Sequence, residues 1–237
     1  MSHNKKEIFA RSEAIVKKIL EGGVEKFVKN KSELFDLKER TLKCIDERTP
    51  GGVHLAGSGI LLGVEKAIAF IRTAKIDKVT WHNQCGAVAL YLKNQGQSPT
   101  GEKIDETARK FSETLAERAG AVVEEEIMQG ETSFHGARAI YFDNTGEFNV
   151  AEELPAGFVI SRAYLEKDYA QEELKIALSI AFGDHGFGEL FTRAQPLLIV
   201  GISDRETIGE IITELKQAVS GLPEYKEGKI KIDQLIR

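Results

Sequence analysis

Cysteine is scarce in this sequence of 237 residues, which contains two, Cys44 and Cys85. So few exclude the disulfide framework of a small secreted domain, and leave a single disulfide, two unrelated buried thiols or a pair of ligands. No stretch is apolar for long enough to span a bilayer, which sets membrane proteins aside. Basic residues are not in excess: 32 Lys and Arg stand against 37 Asp and Glu, a net charge of -5. They are spread along the chain rather than gathered into a stripe, which argues against a nucleic-acid partner. The N-terminal run MSHNKKEIFARSEAIVKKIL is broken by charge every few positions. It lacks the apolar core of a signal peptide, and a cytoplasmic protein is the expectation.

What is present is ordinary globular composition, 42% hydrophobic and 29% charged, in a chain long enough to bury one substantial core. Residues 5 to 29 carry Ile8, Ile15, Val16, Ile19 and Leu20 at helical spacing, an amphipathic helix suited to scaffold or dimer packing. Strands are expected at Thr41 to Ile45 and Lys78 to His82, each running into a polar loop. A helix capped by Ser58 is expected to run to about Arg72, with others at Ala87 to Lys93 and Glu102 to Arg118. Farther on, Asn144-Thr145-Gly146 between ARAIYFD and EFNV reads as a hairpin, and Gly157 to Leu165 as a strand. A helix at Glu172 to Ala181, a strand at Pro196 to Ile202 and a capping box at Ser203-x-x-Glu206 close the pattern. No internal repeat is visible. Alternating strands and helices imply an α/β fold, a mainly parallel central sheet flanked by helices, with ligands at the C-terminal strand ends. Residues 1–237 form a single domain in this reading, with 160–237 as a candidate C-terminal extension or subdomain.

Cys44 stands at the end of the first expected strand, and Cys85 in the turn that follows the second. Cys44 opens Cys44-Ile45-Asp46-Glu47-Arg48, and Cys85 closes His82-Asn83-Gln84-Cys85-Gly86. Zinc favours thiolate and imidazole, and a catalytic zinc keeps three protein ligands and one open position. Cys44, His82 and Cys85 fit that count. The other histidines, His3, His54, His135 and His185, show no ligand spacing with them.

Together the two motifs resemble the zinc-site signature of β-class carbonic anhydrases, over roughly residues 41–95. The resemblance implies zinc on Cys44, His82 and Cys85, and reversible hydration of carbon dioxide to bicarbonate through a zinc-bound hydroxide. It implies that Asp46 accepts a hydrogen bond from that hydroxide or takes the fourth metal position, and that Arg48 pairs with Asp46. Gly86 and His54 are the candidate pocket residues. A homodimer or higher homo-oligomer acting on a small molecule is expected, with no nucleic-acid or membrane partner. The interval between Cys44 and His82 is shorter than is usual in the family, which leaves hydrolysis of a related heteroallene, carbonyl sulfide or carbon disulfide, as one alternative. The other is a non-catalytic zinc-binding or bicarbonate-sensing role, for which the unmatched C-terminal third speaks. Trp81 reads as core, Glu124 to Glu126 as a solvated face, and the glycine-rich Asp184-His185-Gly186-Phe187-Gly188 as a loop, with a second-site or proton-shuttle role for its titratable pair as the alternative.

Overall fold

The computed structural model describes residues 3–128 and 134–237. The chain opens with three helices, α1 (His3–Gly22), α2 (Val24–Phe27) and α3 (Lys31–Leu34). It continues β1 (Thr41–Lys43), β2 (Val53–His54), α4 (Val64–Thr73), β3 (Lys78–Trp81), α5 (Gly86–Asn94), α6 (Gly101–Ala119) and β4 (Val122–Glu125). A second series follows: β5 (Ala139–Asp143), β6 (Gly157–Ile160), α7 (Lys167–Phe182), β7 (Leu197–Ser203), α8 (Ile208–Val219), α9 (Pro223–Lys226) and β8 (Ile230–Ile236).

The fold is α/β, with two four-stranded sheets in which every strand pair is parallel. Strands β5, β6 and β7 are buried at every residue, as expected for parallel strands covered on both faces by crossover helices. The first sheet has the order β2-β1-β3-β4 and the second β6-β5-β7-β8, the same permutation twice. This is the repeat that the amino-acid sequence does not display. The two edge strands β2 and β6 face each other. The His54 amide donates to the Ser161 hydroxyl at 2.9 Å, and the Val159 amide to the Ile45 carbonyl at 3.3 Å. One buried cluster runs through both halves, from Phe9 and Leu42 to Ile199 and Ile230. Residues 160–237 provide β7 and β8, while β5 and most of β6 precede them, so the second sheet crosses that boundary.

Five expectations need correction. The N-terminal helix breaks at Gly23, whose φ of 83° is left-handed, and α1 and α2 lie on the second sheet of their own chain. There Val16, Ile19 and Val24 pack with Tyr141, Leu198 and Val200, each fully buried aliphatic side chain contributing about 1.5–3 kcal/mol. Residues 137–150 form no hairpin, because the buried Asp143 carboxylate takes the amides of Thr145, Gly146 and Phe148 and turns the chain out of the sheet. Ser58 caps no helix: it has a φ of 54°, donates to the Thr80 carbonyl at 2.6 Å, and α4 starts six residues later. Nor does Ser203 form a capping box, since it ends β7 and shares a hydrogen bond with Thr207, one residue before α8. Glu124 and Glu125 lie on an edge strand, β4, and Glu126 reaches inward to pair with Lys43.

Candidate metal centre

The parallel first sheet directs the chain beyond β1 and β3 to the same edge, so residues far apart in sequence converge there. Cys44 follows β1, His82 follows β3, and Cys85 stands immediately before α5. All three are buried. One donor atom from each lies within 4.8 Å of the others. The two sulfurs are 3.9 Å apart. Two zinc–sulfur bonds of about 2.3 Å at a tetrahedral angle separate their sulfurs by about 3.8 Å, so the pair already has the spacing of a shared ion.

The imidazole is oriented for the same purpose. His82 Nδ1 donates to the Asn83 carbonyl at 2.9 Å, which leaves the lone pair on Nε2. That Nε2 is buried and has no hydrogen-bond partner among the described residues. A buried polar atom without a partner costs about 1–3 kcal/mol, and coordination removes the deficit. The donor set and its spacing therefore fit a metal ion, and a fourth ligand is absent among the described residues.

The surroundings favour a thiolate at Cys85 rather than at Cys44. The Gly57 amide donates to Cys44 Sγ at 3.3 Å. The hydrogen bond with Cys44 and the Val88 and Ala87 amides at the start of α5 lower Cys85 despite its burial. Without metal, the shared proton and burial hold Cys44 well above the ordinary thiol range. Burial disfavours the charged ring of His82, yet Cys44 and Asp46 push its pKa up to about 9. A divalent cation reverses this arrangement, because ligation requires two thiolates and a neutral imidazole.

No family model matches the chain, and no curated protein or solved structure does.

Asp46 and Arg48 form a bidentate pair. Arg48 Nε donates to Oδ1 at 2.8 Å and Nη2 to Oδ2 at 2.7 Å, and the Arg48 amide adds a third bond at 3.0 Å. Burial works against the Asp46 charge, but Arg48 and His135 hold its pKa down at about 2. Asp46 is not among the donor atoms grouped with the two sulfurs and His82, so in this state it faces Arg48 rather than the metal position.

Of the two expected pocket residues, Gly86 lines a cleft of about 570 Å³ and His54 does not. Arg48, His135 and His185 share the cleft wall, so both halves of the chain build it. His54 is buried, its Nδ1 is 2.7 Å from the Cys44 carbonyl, and burial drops its pKa to about 4. It is a neutral brace for the ligand loop. Thr49 braces the same loop, donating to the Cys44 and Asp46 carbonyls, each at 2.9 Å. Trp81 lines a cavity of about 10 Å³ beside His82 and Cys85.

His135 carried no signal in the sequence, and the fold brings it to the centre. Its Nδ1 lies 3.0 Å from Glu47 Oε2 and 3.5 Å from Asp46 Oδ2, across 88 positions of chain from Glu47. The Gly136 amide donates to the other Glu47 oxygen at 2.6 Å. Burial disfavours the imidazolium, but the two carboxylates raise the His135 pKa. The result is a chain of contacts, Arg48 to Asp46 to His135 to Glu47, beside the three candidate donors.

Proposed function

We propose that this protein is a zinc lyase that reversibly hydrates carbon dioxide to bicarbonate, with the site logic of a β-class carbonic anhydrase. The observation that carries the reading is the Asp46–Arg48 pair beside a Cys2His donor set that has no fourth protein ligand among the described residues. In this reading Cys44, His82 and Cys85 hold zinc. A zinc ion with one open position lowers the pKa of a bound water and so provides a nucleophile near neutral pH.

The remaining work falls to the chain's own side chains. Asp46 is kept ionised by Arg48 and accepts a hydrogen bond, which orients the attacking oxygen toward the substrate carbon. Arg48 holds Asp46 out of the coordination shell and leaves a position for solvent or substrate. The Arg48 side chain and the amide end of α5 at Gly86 face the cleft, where developing negative charge on bicarbonate is stabilised. His135, joined to Asp46 and Glu47, offers a route for the released proton toward the cleft.

Stopped-flow hydration of carbon dioxide over a pH series, with metal analysis of the same sample, tests the proposal. One zinc per chain and turnover rising toward alkaline pH are expected. Zinc without turnover would overturn the hydratase reading and favour another heteroallene or a non-catalytic role.

A further inference from the structure

Glu173 is a carboxylic acid in an expensive place. It lies on α7 in the second half of the chain, is 1% exposed, and no cation pairs with it among the described residues. Its Oε2 accepts from the Ala56 amide at 2.7 Å, and its Oε1 has no partner among the described residues. An apolar residue would fill this space at lower cost, so the retained acceptor calls for an account.

The account is in the turn that it grips. Ala56 begins a short helical turn, Ala56–Gly59, in which Gly57 and Ser58 are both left-handed, with φ values of 55° and 54°. The Gly57 amide, next to the one that Glu173 holds, donates to Cys44 Sγ. A side chain at Gly57 would come within 3.0 Å of Ile60 Cγ2 and 3.1 Å of Ala87 Cβ, so the turn is tightly confined on the side facing α5. Two consecutive left-handed residues, one of them serine, are an unfavourable conformation that its surroundings must hold. Ser58 is tied to the Thr80 carbonyl on one side, and Ala56 to Glu173 on the other.

We propose that Glu173 is a positioning residue of the metal centre: by fixing the Ala56–Gly57 turn, it aims the Gly57 amide at the Cys44 sulfur and sets that ligand's donor strength. The inference rests on the Cys44–His82–Cys85 site and is independent of the reaction run there. Amide hydrogen bonds to a metal-bound thiolate alter its basicity and its orbital overlap with the ion, and losing such a partner typically weakens metal affinity by about 10–100-fold.

Cobalt(II) bound in place of zinc reads this directly, through the near-ultraviolet thiolate-to-metal charge-transfer band and through affinity measured against a chelator. Glu173→Gln keeps an oxygen for the Ala56 amide and is expected to match the wild type. Glu173→Leu removes it and is expected to shift the band and weaken cobalt binding by about tenfold or more. If the leucine variant does not fold by circular dichroism, Glu173→Asp, which withdraws the carboxyl by one methylene, is expected to show the same changes. A Leu or Asp variant that folds with unchanged band and affinity overturns the proposal. A wild-type protein with no charge-transfer band overturns the metal centre itself, which is a different failure.

Discussion

In the first sheet the residues that follow β1 and β3 and precede α5 are Cys44, His82 and Cys85. In the second, those that follow β5 and β7 and precede α8 are Asn144, Asp204 and Thr207. Strand order is the same in both halves, and so is the spacing of three residues from the second position to the third. The chemistry is not. Asn144 Nδ2 donates to the Ser203 hydroxyl at 3.0 Å, Ser203 and Thr207 share a hydrogen bond at 2.6 Å, and Asp204 pairs with Arg237 at 2.8 Å. That trio satisfies itself with protein partners, whereas the first leaves His82 Nε2 without one among the described residues. The comparison teaches that this topology gathers three side chains at one sheet end wherever it occurs. Residue type then decides whether they bind a soft, thiophilic ion or merely close a loop.

The contrast breaks most completely at the ligands. Cys85→Ser is expected to abolish stoichiometric zinc, a loss well beyond the roughly 10–100-fold typical of outer partners, while Thr207→Ala leaves metal content unchanged. Metal analysis after dialysis measures both. Equal loss in the two variants would mean that the second half takes part in binding.

Next in size is Asp46→Ala, which is expected to keep its zinc and to lower carbon dioxide hydration by about 10²–10⁴-fold, the usual range for a lost proton-handling group. Unchanged turnover with metal in place would remove Asp46 from the mechanism.

The second half should reveal itself in stability. Arg138 is fully buried, lies 3.8 Å from the centre of the Phe9 ring, and bonds the Phe9 carbonyl, Ser12 and Glu13, clasping α1 to the start of β5. Arg138→Ala leaves Glu13 without its partner and is expected to cost about 4 kcal/mol in urea unfolding, with zinc content retained.

The smallest effect couples the halves through Glu173. Burial raises its pKa from 4.5 to about 7. The folded chain therefore holds this proton more tightly than the unfolded one. Its contribution is complete below about pH 4.5, declines as pH rises, and is lost above about pH 7. A shift of this size corresponds to about 3 kcal/mol. Unfolding of metal-free Glu173→Gln between pH 5 and pH 8 is expected to lack that decline. An identical pH profile in wild type and variant would place the carboxyl's titration elsewhere.

Much of the first half is legible in the amino-acid order, because its signals are local. Expected boundaries at Glu102 to Arg118 and at Lys78 to His82 fall within a few residues of α6 and β3, since each carries a clear apolar period and its own end signals. Thr100, the residue before α6, accepts from the Lys103 amide, and Gly120 ends that helix in the left-handed conformation. Reading failed where a side chain captured the backbone. Asp143 gathers the amides of its turn and prevents a hairpin, and Ser58 bonds a strand carbonyl instead of capping a helix. The duplicated strand order is invisible because positions buried in both halves require only apolar bulk, which many unrelated residues satisfy.

By itself the sequence determined the alternation of strands and helices, the residue types of the three candidate donors, and the Asp46–Arg48 pair, whose members are two residues apart. These follow from residue type and spacing of a few positions. Only the tertiary structure decided that Cys44 and Cys85, 41 positions apart, share an ion-sized gap, that His135 joins Glu47 from 88 positions away, and that Glu173 holds Ala56 across 117. Such pairings depend on which strands lie side by side, and strand order is set by the packing of the whole core rather than by any local stretch of chain.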